Sequence, residues 1–380
     1  MKSTFSIAVL FLAVSSVIVG GELESDYKNP GAKAPLDTRW GGPILGGGFK
    51  SNDAFSEASF FSLIPWKNAI GDGGSMEGSI FFLEPYGTWA EEGEWGGSLG
   101  LGFRHLFSHQ SVSEARNGQN AGFLTEGVFV GANLFVDYAE SPFGNDFWQT
   151  GVGFEVGTRY LEFRSNYYRP YESAQTVRTR TVSNSHRSSS TSSKSFTSPP
   201  SGGSQTTTRL NTTTTRTTTQ STTFELFEEA LEGWDAEVSL LVPGIDQFMD
   251  FTLIGGHYAY SGDRLSSDID GWRAGFEARP VPAVVLHATW FEDKGLYEEN
   301  WLAGVRFEIP LDKNAAREAF KPRRRHLAER LFELVRRKNT AVTFGREEQA
   351  TGSSTTTQIN STTDRTTTSL PVSSGLEEDE

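Results

Sequence analysis

The residues of this chain whose types could do chemistry are carboxylates and arginines set at alternate positions among apolar ones. Asp137, Glu155, Glu162, Asp235, Glu237, Glu277 and Glu308 follow this spacing, and so do Arg104, Arg164, Arg273 and Arg306. A period of two puts such residues on one face of an extended strand. A face carrying both charges, with acids in excess, suits ion pairing with a basic partner. The chain holds such a partner in Arg323–Lys338, RRRHLAERLFELVRRK. It offers Arg323, Arg324, Arg325, Arg330, Arg336, Arg337 and Lys338. Leu327, Leu331 and Leu334 fall at helical spacing, and Pro322 stands where a helix start tolerates proline. One reading is a basic helix held by the acidic face. The other is that the charges only solvate that face and balance one another.

Other chemistry has weaker support. The pairs Glu91-Glu92 and Glu298-Glu299 fall in predicted loops, where carboxylates are solvated rather than poised as acid and base. His257 and His287 read as wall residues rather than metal ligands. Gly151–Gly157 has the glycine spacing of a phosphate cradle but lacks the helix that must follow one. With no cysteine, thiol catalysis and Cys-ligated zinc are excluded. A net charge of −14 argues against nucleic acid as a partner, despite the Arg323–Arg325 run. No nucleophile and histidine converge as a hydrolase would need. The expectation is no enzyme, no catalytic residue, no metal and no cofactor.

The elements that must position these charges read as strands. Val128, Val130, Ala132, Leu134, Val136 and Tyr138 share a face, opposite Phe129, Gly131, Asn133, Phe135 and Asp137. The pattern recurs from Leu99 to Arg104, Val152 to Gly157, Leu161 to Arg164, Asp235 to Leu240, Trp272 to Glu277 and Gly304 to Ile309. Alternation alone fits both a soluble sandwich and a membrane barrel. Three features favour the barrel. Segments reach about 10 residues, enough to cross a bilayer when tilted. Trp40, Trp66, Trp89, Trp95, Tyr138, Trp148, Tyr167, Tyr168, Trp290 and Trp301 fall near strand ends, as interfacial girdles require. Turns alternate between tight, proline-bearing ones (Leu241–Phe248, Arg279–Val284) and longer ones (Tyr171–Gly233, Ser261–Gly271, Asp293–Asn300). The predicted fold is all-β, a transmembrane antiparallel barrel of about 12 strands with a C-terminal linker helix in the pore.

The flanking segments complete the plan. Lys2, the apolar run Phe5–Val19 and Gly20-Gly21 read as a signal peptide over 1–21, the alternative being a membrane anchor. Residues 22–36 form a short segment before the barrel, 37–312. Within the barrel, Ser173–Thr223 is nearly all Ser, Thr, Arg and Gly. It is expected to be disordered because it buries too little apolar surface. The linker follows over 313–349, extended near Thr340–Phe344, and then a disordered Thr-rich acidic tail, Ala350–Glu380.

Three blocks carry a resemblance to a known family. LGLGFRHL at Leu99–Leu106, GANLFVD at Gly131–Asp137 with the strands that follow it to Tyr168, and LFELVRRKNTAVTF at Leu331–Phe344 resemble the β-domain of inverse autotransporters, the intimin and invasin family. The resemblance spans roughly Arg39–Phe344. It implies a 12-stranded outer-membrane barrel with both barrel ends in the periplasm and a linker that threads the pore to the surface. By that count the Ser173–Thr223 insert lies in an extracellular loop. Outer-membrane lipids, the barrel-assembly machinery and periplasmic chaperones become the implied partners, around a monomeric barrel. Gly304–Ile309 resembles the terminal strand that such machinery reads, with an ordinary strand as the alternative. No peptidoglycan-binding module fits before Arg39, and no folded passenger pattern follows the linker. The expected function is therefore a translocator and anchor, related to adhesins and invasins, that presents its own C-terminus. The rivals are a porin with a periplasmic C-terminus, an outer-membrane hydrolase and a soluble β-sandwich. Any host ligand stays open.

Overall fold

Strict apolar–polar alternation commits a chain to strands that bury one face only, and here that buried face is the charged one. The computed structural model describes residues 41–371 apart from 53–55, 92–93, 117–122, 142, 173, 201–202, 266 and 297. The predicted signal peptide at 1–21, the segment 22–36, Trp40, Glu92 and the acidic end of the tail lie outside the described residues. The chain divides into two compact units, 1–175 with 228–345, and 176–227 with 346–380.

The first unit is a closed barrel. Its strands are β1 (Ile44–Ser51), β2 (Ser56–Asn68), β3 (Gly78–Ala90), β4 (Trp95–Phe107), β5 (Val128–Glu140), β6 (Asp146–Gly157) and β7 (Leu161–Pro170). After β8 (Gln175–Thr197) and β9 (Ser204–Ala230) it resumes with β10 (Glu232–Leu241), β11 (Asp250–Ser261), β12 (Ile269–Val281), β13 (Val284–Glu292) and β14 (Glu299–Pro310). Every neighbour is antiparallel. β7 pairs directly with β10, and β1 pairs with β14 from Ile44↔Pro310 to Ser51↔Ala303, which makes the closure. Closure leaves no unpaired edge, the condition for strands to cross a bilayer. Among the described residues no helix is long and apolar enough to span one.

Burial follows the alternation inside out. Leu99 and Leu101 are 53% and 45% exposed, while Arg104 on the same strand is 1% exposed. The outward face is greasy and the inward face ionic, as lipid outside and a polar bore inside demand.

The connections at the end where β1 begins and β14 finishes are 69–77, 108–127, 158–160, 242–249 and 282–283. The two proline turns read from the sequence lie at this end, and the three longer connections at the other. Length, however, does not sort the ends cleanly. The connection 108–127 lies at the proline-turn end and is longer than 262–268 or 293–298. It carries helix α1 (Val112–Arg116) and supplies Gln110, which bonds the C-terminal segment inside the barrel (His326 Nε2 to Gln110 Oε1, 2.9 Å).

After β14 comes α2 (Lys313–Ala319), capped by Asp312, whose carboxylate accepts from the Asn314 and Ala315 N–H groups at 3.0 Å each. The predicted helix Arg323–Lys338 is not formed. Only one turn is helical, α3 (Leu327–Arg330), and the rest is irregular.

The second unit corrects the expectation of disorder. Ser173–Thr223 and the described part of Ala350–Glu380 lie almost wholly in strands, with β15 (Thr343–Pro371) joining β8 and β9 in the order β15-β9-β8. Apolar burial is not what orders these strands. Threonine is β-branched and favours the pleated conformation, and its hydroxyls pair across strands. Thr181–Thr223 (3.2 Å), Ser183–Ser221 (2.8 Å), Ser185–Thr219 (2.8 Å) and Thr191–Thr213 (3.2 Å) step together along β8 and β9.

Candidate functional site: the bore and the segment that crosses it

Each inward arginine of the wall meets inward carboxylates. Arg104 on β4 pairs with Glu155 on β6. Arg164 on β7 pairs with Glu162 and reaches Glu155 at 3.4 Å and Glu237 at 3.5 Å. Arg273 on β12 holds Asp235 (3.2 Å) and Glu237 (3.1 Å) of β10. Arg306 on β14 holds Glu308 (2.7 Å) and reaches Glu277 at 3.6 Å. Arg279, on the same face as Arg273 and Glu277, adds Glu277 (2.9 Å) and Glu308 (2.7 Å). Asp137 differs. On the wall its partner is Gln149 (3.3 Å), and among the described residues no wall arginine pairs with it.

The segment 323–342 completes the network and crosses the bore. At the end where β14 finishes, Leu327 N–H donates to Glu126 (2.7 Å) and Arg325 pairs with Asp250 (3.1 Å) and Glu333 (2.6 Å). Further in, Arg330 pairs with Glu162 (2.5 Å), Val335 N–H donates to Glu84 (3.0 Å) and Arg336 pairs with Glu277 (3.1 Å). Arg337 then forks onto Asp137 (2.7 and 2.5 Å), its guanidinium 4.2 Å from the Phe135 ring centroid. Lys338 N–H donates to the Tyr168 hydroxyl (2.9 Å). At the opposite end Leu231 N–H donates to the Val342 carbonyl (2.7 Å). The wall also makes room. A Cβ on Gly151 would fall 2.2 Å from an Arg337 nitrogen.

These bonds explain why the segment is not a helix. Arg104 donates to the Leu331 and Glu333 carbonyls (2.7 and 2.6 Å), Arg159 to that of Arg325 (2.9 Å) and Asn166 to that of Arg336 (3.2 Å). Wall side chains thus take backbone groups a helix would pair internally. An extended chain also advances roughly 3.3 Å per residue against about 1.5 Å in a helix. The leucines at helical spacing serve another purpose. Leu327, Leu331, Phe332 and Val335 pack on Ile80, Phe82, Leu106, Phe129 and Phe135, an apolar cluster inside the ionic bore.

Two linker arginines pair with carboxylates that lie outside the barrel strands. Arg323 forks onto Glu329 within the segment (2.7 and 2.5 Å). Arg324 is one-third exposed and stands 3.8 Å from Glu126 and 3.6 Å from Asp246. Sequence reasoning missed Glu84, Glu126, Arg159, Asp246, Arg279 and Glu333. Arg279 continues the 273–275–277 alternation but falls in the predicted turn Arg279–Val284. Glu84 sits in the apolar run of β3, where periodicity gives no signal. Arg159, in the 158–160 turn, bonds Glu126 (2.6 Å) and Asp246 (2.9 Å). Burial pushes the Asp246 carboxyl up, but the Arg159 hydrogen bond and charge outweigh it and hold it below the usual aspartate range.

Trp66, Trp89, Trp95, Trp148, Tyr167, Trp290 and Trp301 are exposed on the outer wall, and Tyr138 packs between Trp95 and Trp148 at 4.6 and 5.0 Å. Tyr168 leaves the expected girdle. It is fully buried in the bore, where its hydroxyl donates to Asp235 (2.7 Å). His257 contacts Asp270 (2.5 Å) and Trp272, and His287 is on the wall of β13. Gly151–Gly157 is strand throughout, and Glu91, Glu298 and Glu299 lie in connections or at a strand start. Among the described residues no cluster of His, Asp and Glu could hold a metal.

A closed twelve-stranded antiparallel cylinder, apolar outside and ionic within, defines the class of outer-membrane β-barrels. The sequence matches the inverse autotransporter β-domain over residues 93–339, more than half its length, and the chain belongs to that family. A solved chain from work on the in-meso crystallization of membrane proteins aligns with a TM-score of 0.50 at 16% identity, over 80% of this chain and 99% of that one. CdiB from Acinetobacter baumannii aligns at 0.28 and 8% identity, over 70% of this chain and 59% of that one. A mutant of the Rh. blastica porin aligns at 0.24 and 9% identity, over 70% and 99%. No curated protein sequence matches the chain.

Proposed function

We propose that the chain is a translocator and anchor that threads its own C-terminal segment through the barrel to the cell surface. The observation that carries this reading is the course of 323–342, which enters the bore where β14 ends and leaves it where β10 begins. In this reading 1–21 is a signal peptide and the end bearing Ile44 and Pro310 faces the periplasm. The chain from Thr343 onward is then extracellular, presented in the manner of an adhesin or invasin. Delivery would draw on periplasmic chaperones and the barrel-assembly machinery. The inverse autotransporter β-domain is a translocating anchor and not an enzyme family, and the mechanism needs no catalysis. Wall and segment exchange charge-assisted hydrogen bonds at reduced dielectric, which fixes the segment in one register.

An epitope tag after Glu380 tests the reading. It is expected to bind antibody on intact cells. A tag detected only after permeabilisation would favour the porin alternative, with its C-terminus in the periplasm. The filled bore speaks against that alternative, because diffusion needs an open lumen. Residues 323–338 occupy it with both charged and apolar contacts.

A further inference from the structure

In the order β15-β9-β8, β9 is the central strand, and its two neighbours reach it by different routes. β8 is joined to it by the connection 198–203, so their pairing is local and closes early. β15 comes from the other end of the sequence.

β9 keeps a separate row of polar side chains for each neighbour. Odd-numbered Asn211, Thr213, Thr219, Ser221 and Thr223 face β8 partners. Even-numbered Thr206, Thr212 and Thr214 meet Ser369 (3.3 Å), Thr363 (3.1 Å) and Ser361 (3.2 Å) of β15. Both sets keep one register along their length. A cross-sheet contact fixes that register at one end. Arg180 of β8 lies over the Phe224 ring of β9 (5.3 Å) and pairs with Glu347 of β15 (3.2 Å). Such an exposed pair contributes little energy, but it distinguishes one alignment among many near-equivalent threonine alignments.

β15 by itself has neither an apolar face nor a hairpin partner of its own, and an isolated polar strand is not stable in water. We propose that the β8–β9 hairpin is the acceptor edge for the chain's own C-terminal segment. Residues 346–371 are captured by strand addition, and this capture orders the segment and keeps it from slipping back. The inference rests on the export reading for where capture occurs, but not for the pairing itself.

The chain has no cysteine, so a disulfide can report the register. In the full chain, Thr212→Cys with Thr363→Cys should cross-link within one molecule under copper-phenanthroline, whereas Thr212→Cys with Thr367→Cys should not. Equal cross-linking of both pairs, or cross-links only between chains, would overturn the proposal. A second variant tests capture directly. Thr362→Pro with Thr363→Pro removes a ladder N–H whichever of the two points at β9. Replacing 176–227 by a short Gly/Ser link removes the acceptor altogether. In detergent-solubilised whole protein, either change should speed tryptic cleavage at Arg365 by about tenfold or more, because cleavage tracks the open population. An unchanged rate in both would sink the idea. If Arg365 is protected in detergent but a C-terminal tag stays hidden on intact cells, capture stands and export falls.

Discussion

The bore and the threonine-rich sheet are both polar, yet they are held together in opposite ways. In the bore the polar groups are chiefly carboxylates and guanidiniums, buried, and each wall arginine meets its own carboxylates. In the sheet the paired groups are chiefly neutral hydroxyls near the surface, and the pairs closely resemble one another. A buried ion pair carries a large desolvation cost that only its own partner offsets, so the bore specifies one arrangement of wall and segment. An exposed hydroxyl pair exchanges easily with water, so the sheet gains stability only from repetition. The first unit is therefore a lock and the second a zipper, and point changes should separate them.

The largest effect is expected at Asp137. Its carboxylate and the Arg337 guanidinium are both about fully buried, at 0% and 1% side-chain exposure. Asp137→Asn leaves Arg337 uncompensated and should weaken seating of the segment by about 3–5 kcal/mol. Single-channel recording should then show frequent large openings, and thermal unfolding in detergent should begin earlier. Adding Arg337→Leu should recover part of the loss, since no lone charge remains. If Asp137→Asn behaves like the parent, the lock description is wrong.

A smaller loss should follow from crowding the same contact. Gly151→Val places carbon where the Arg337 guanidinium lies, an overpacking cost of about 1–3 kcal/mol. Conductance should rise less than with Asp137→Asn. The two changes together should be less than additive, because both act on one ion pair.

These two sites also show what the sequence could reveal. Alternation predicts the facing of Asp137, and the missing helix after Gly151–Gly157 argues against a phosphate cradle, where the structure instead uses Gly151 to leave space for Arg337. Regular periodicity with charge on one face is a local signal, and it carried the barrel, its inward acids and its basic partner. What stayed hidden depends on distant partners. The leucine spacing of 327–334 read as a helix because nothing local says that Arg104, Arg159 and Asn166 take the carbonyls. Glu84 is silent in an apolar run, and Tyr168 falls near a strand end like the girdle aromatics although its hydroxyl lies in the bore. The sheet is silent in the sequence for a different reason. Apolar content measures core formation, whereas β8, β9 and β15 are ordered by conformational preference and repeated cross-strand pairing.

Acid should act on the lock before the zipper. Asp246 has its carboxyl held low by Arg159, so its contribution is fully present above about pH 4, the ordinary aspartate value. It is lost as pH falls through the lowered folded value. Asp246→Asn should flatten the low-pH limb of a Tm-against-pH curve and leave the neutral region's slope unchanged. A parent-like acid limb in this variant would remove Asp246 from the account.

The smallest effect is expected in the sheet. Thr181→Val keeps the β-branched shape and removes one exposed hydroxyl from the pair with half-buried Thr223 (3.2 Å). The backbone ladder and the conformational preference survive, and water replaces the lost partner at little cost. The change should stay under about 0.5 kcal/mol and leave hydrogen exchange of β8 and β9 nearly as it was. Removing the Arg180–Glu347 contact by Arg180→Gln should cost equally little energy but loosen the alignment. A cysteine pair one hydroxyl step out of register would then begin to cross-link while overall protection holds. If Thr181→Val instead melted the strands, single hydroxyls would be acting as the buried ion pairs do, and the contrast between the two units would fail.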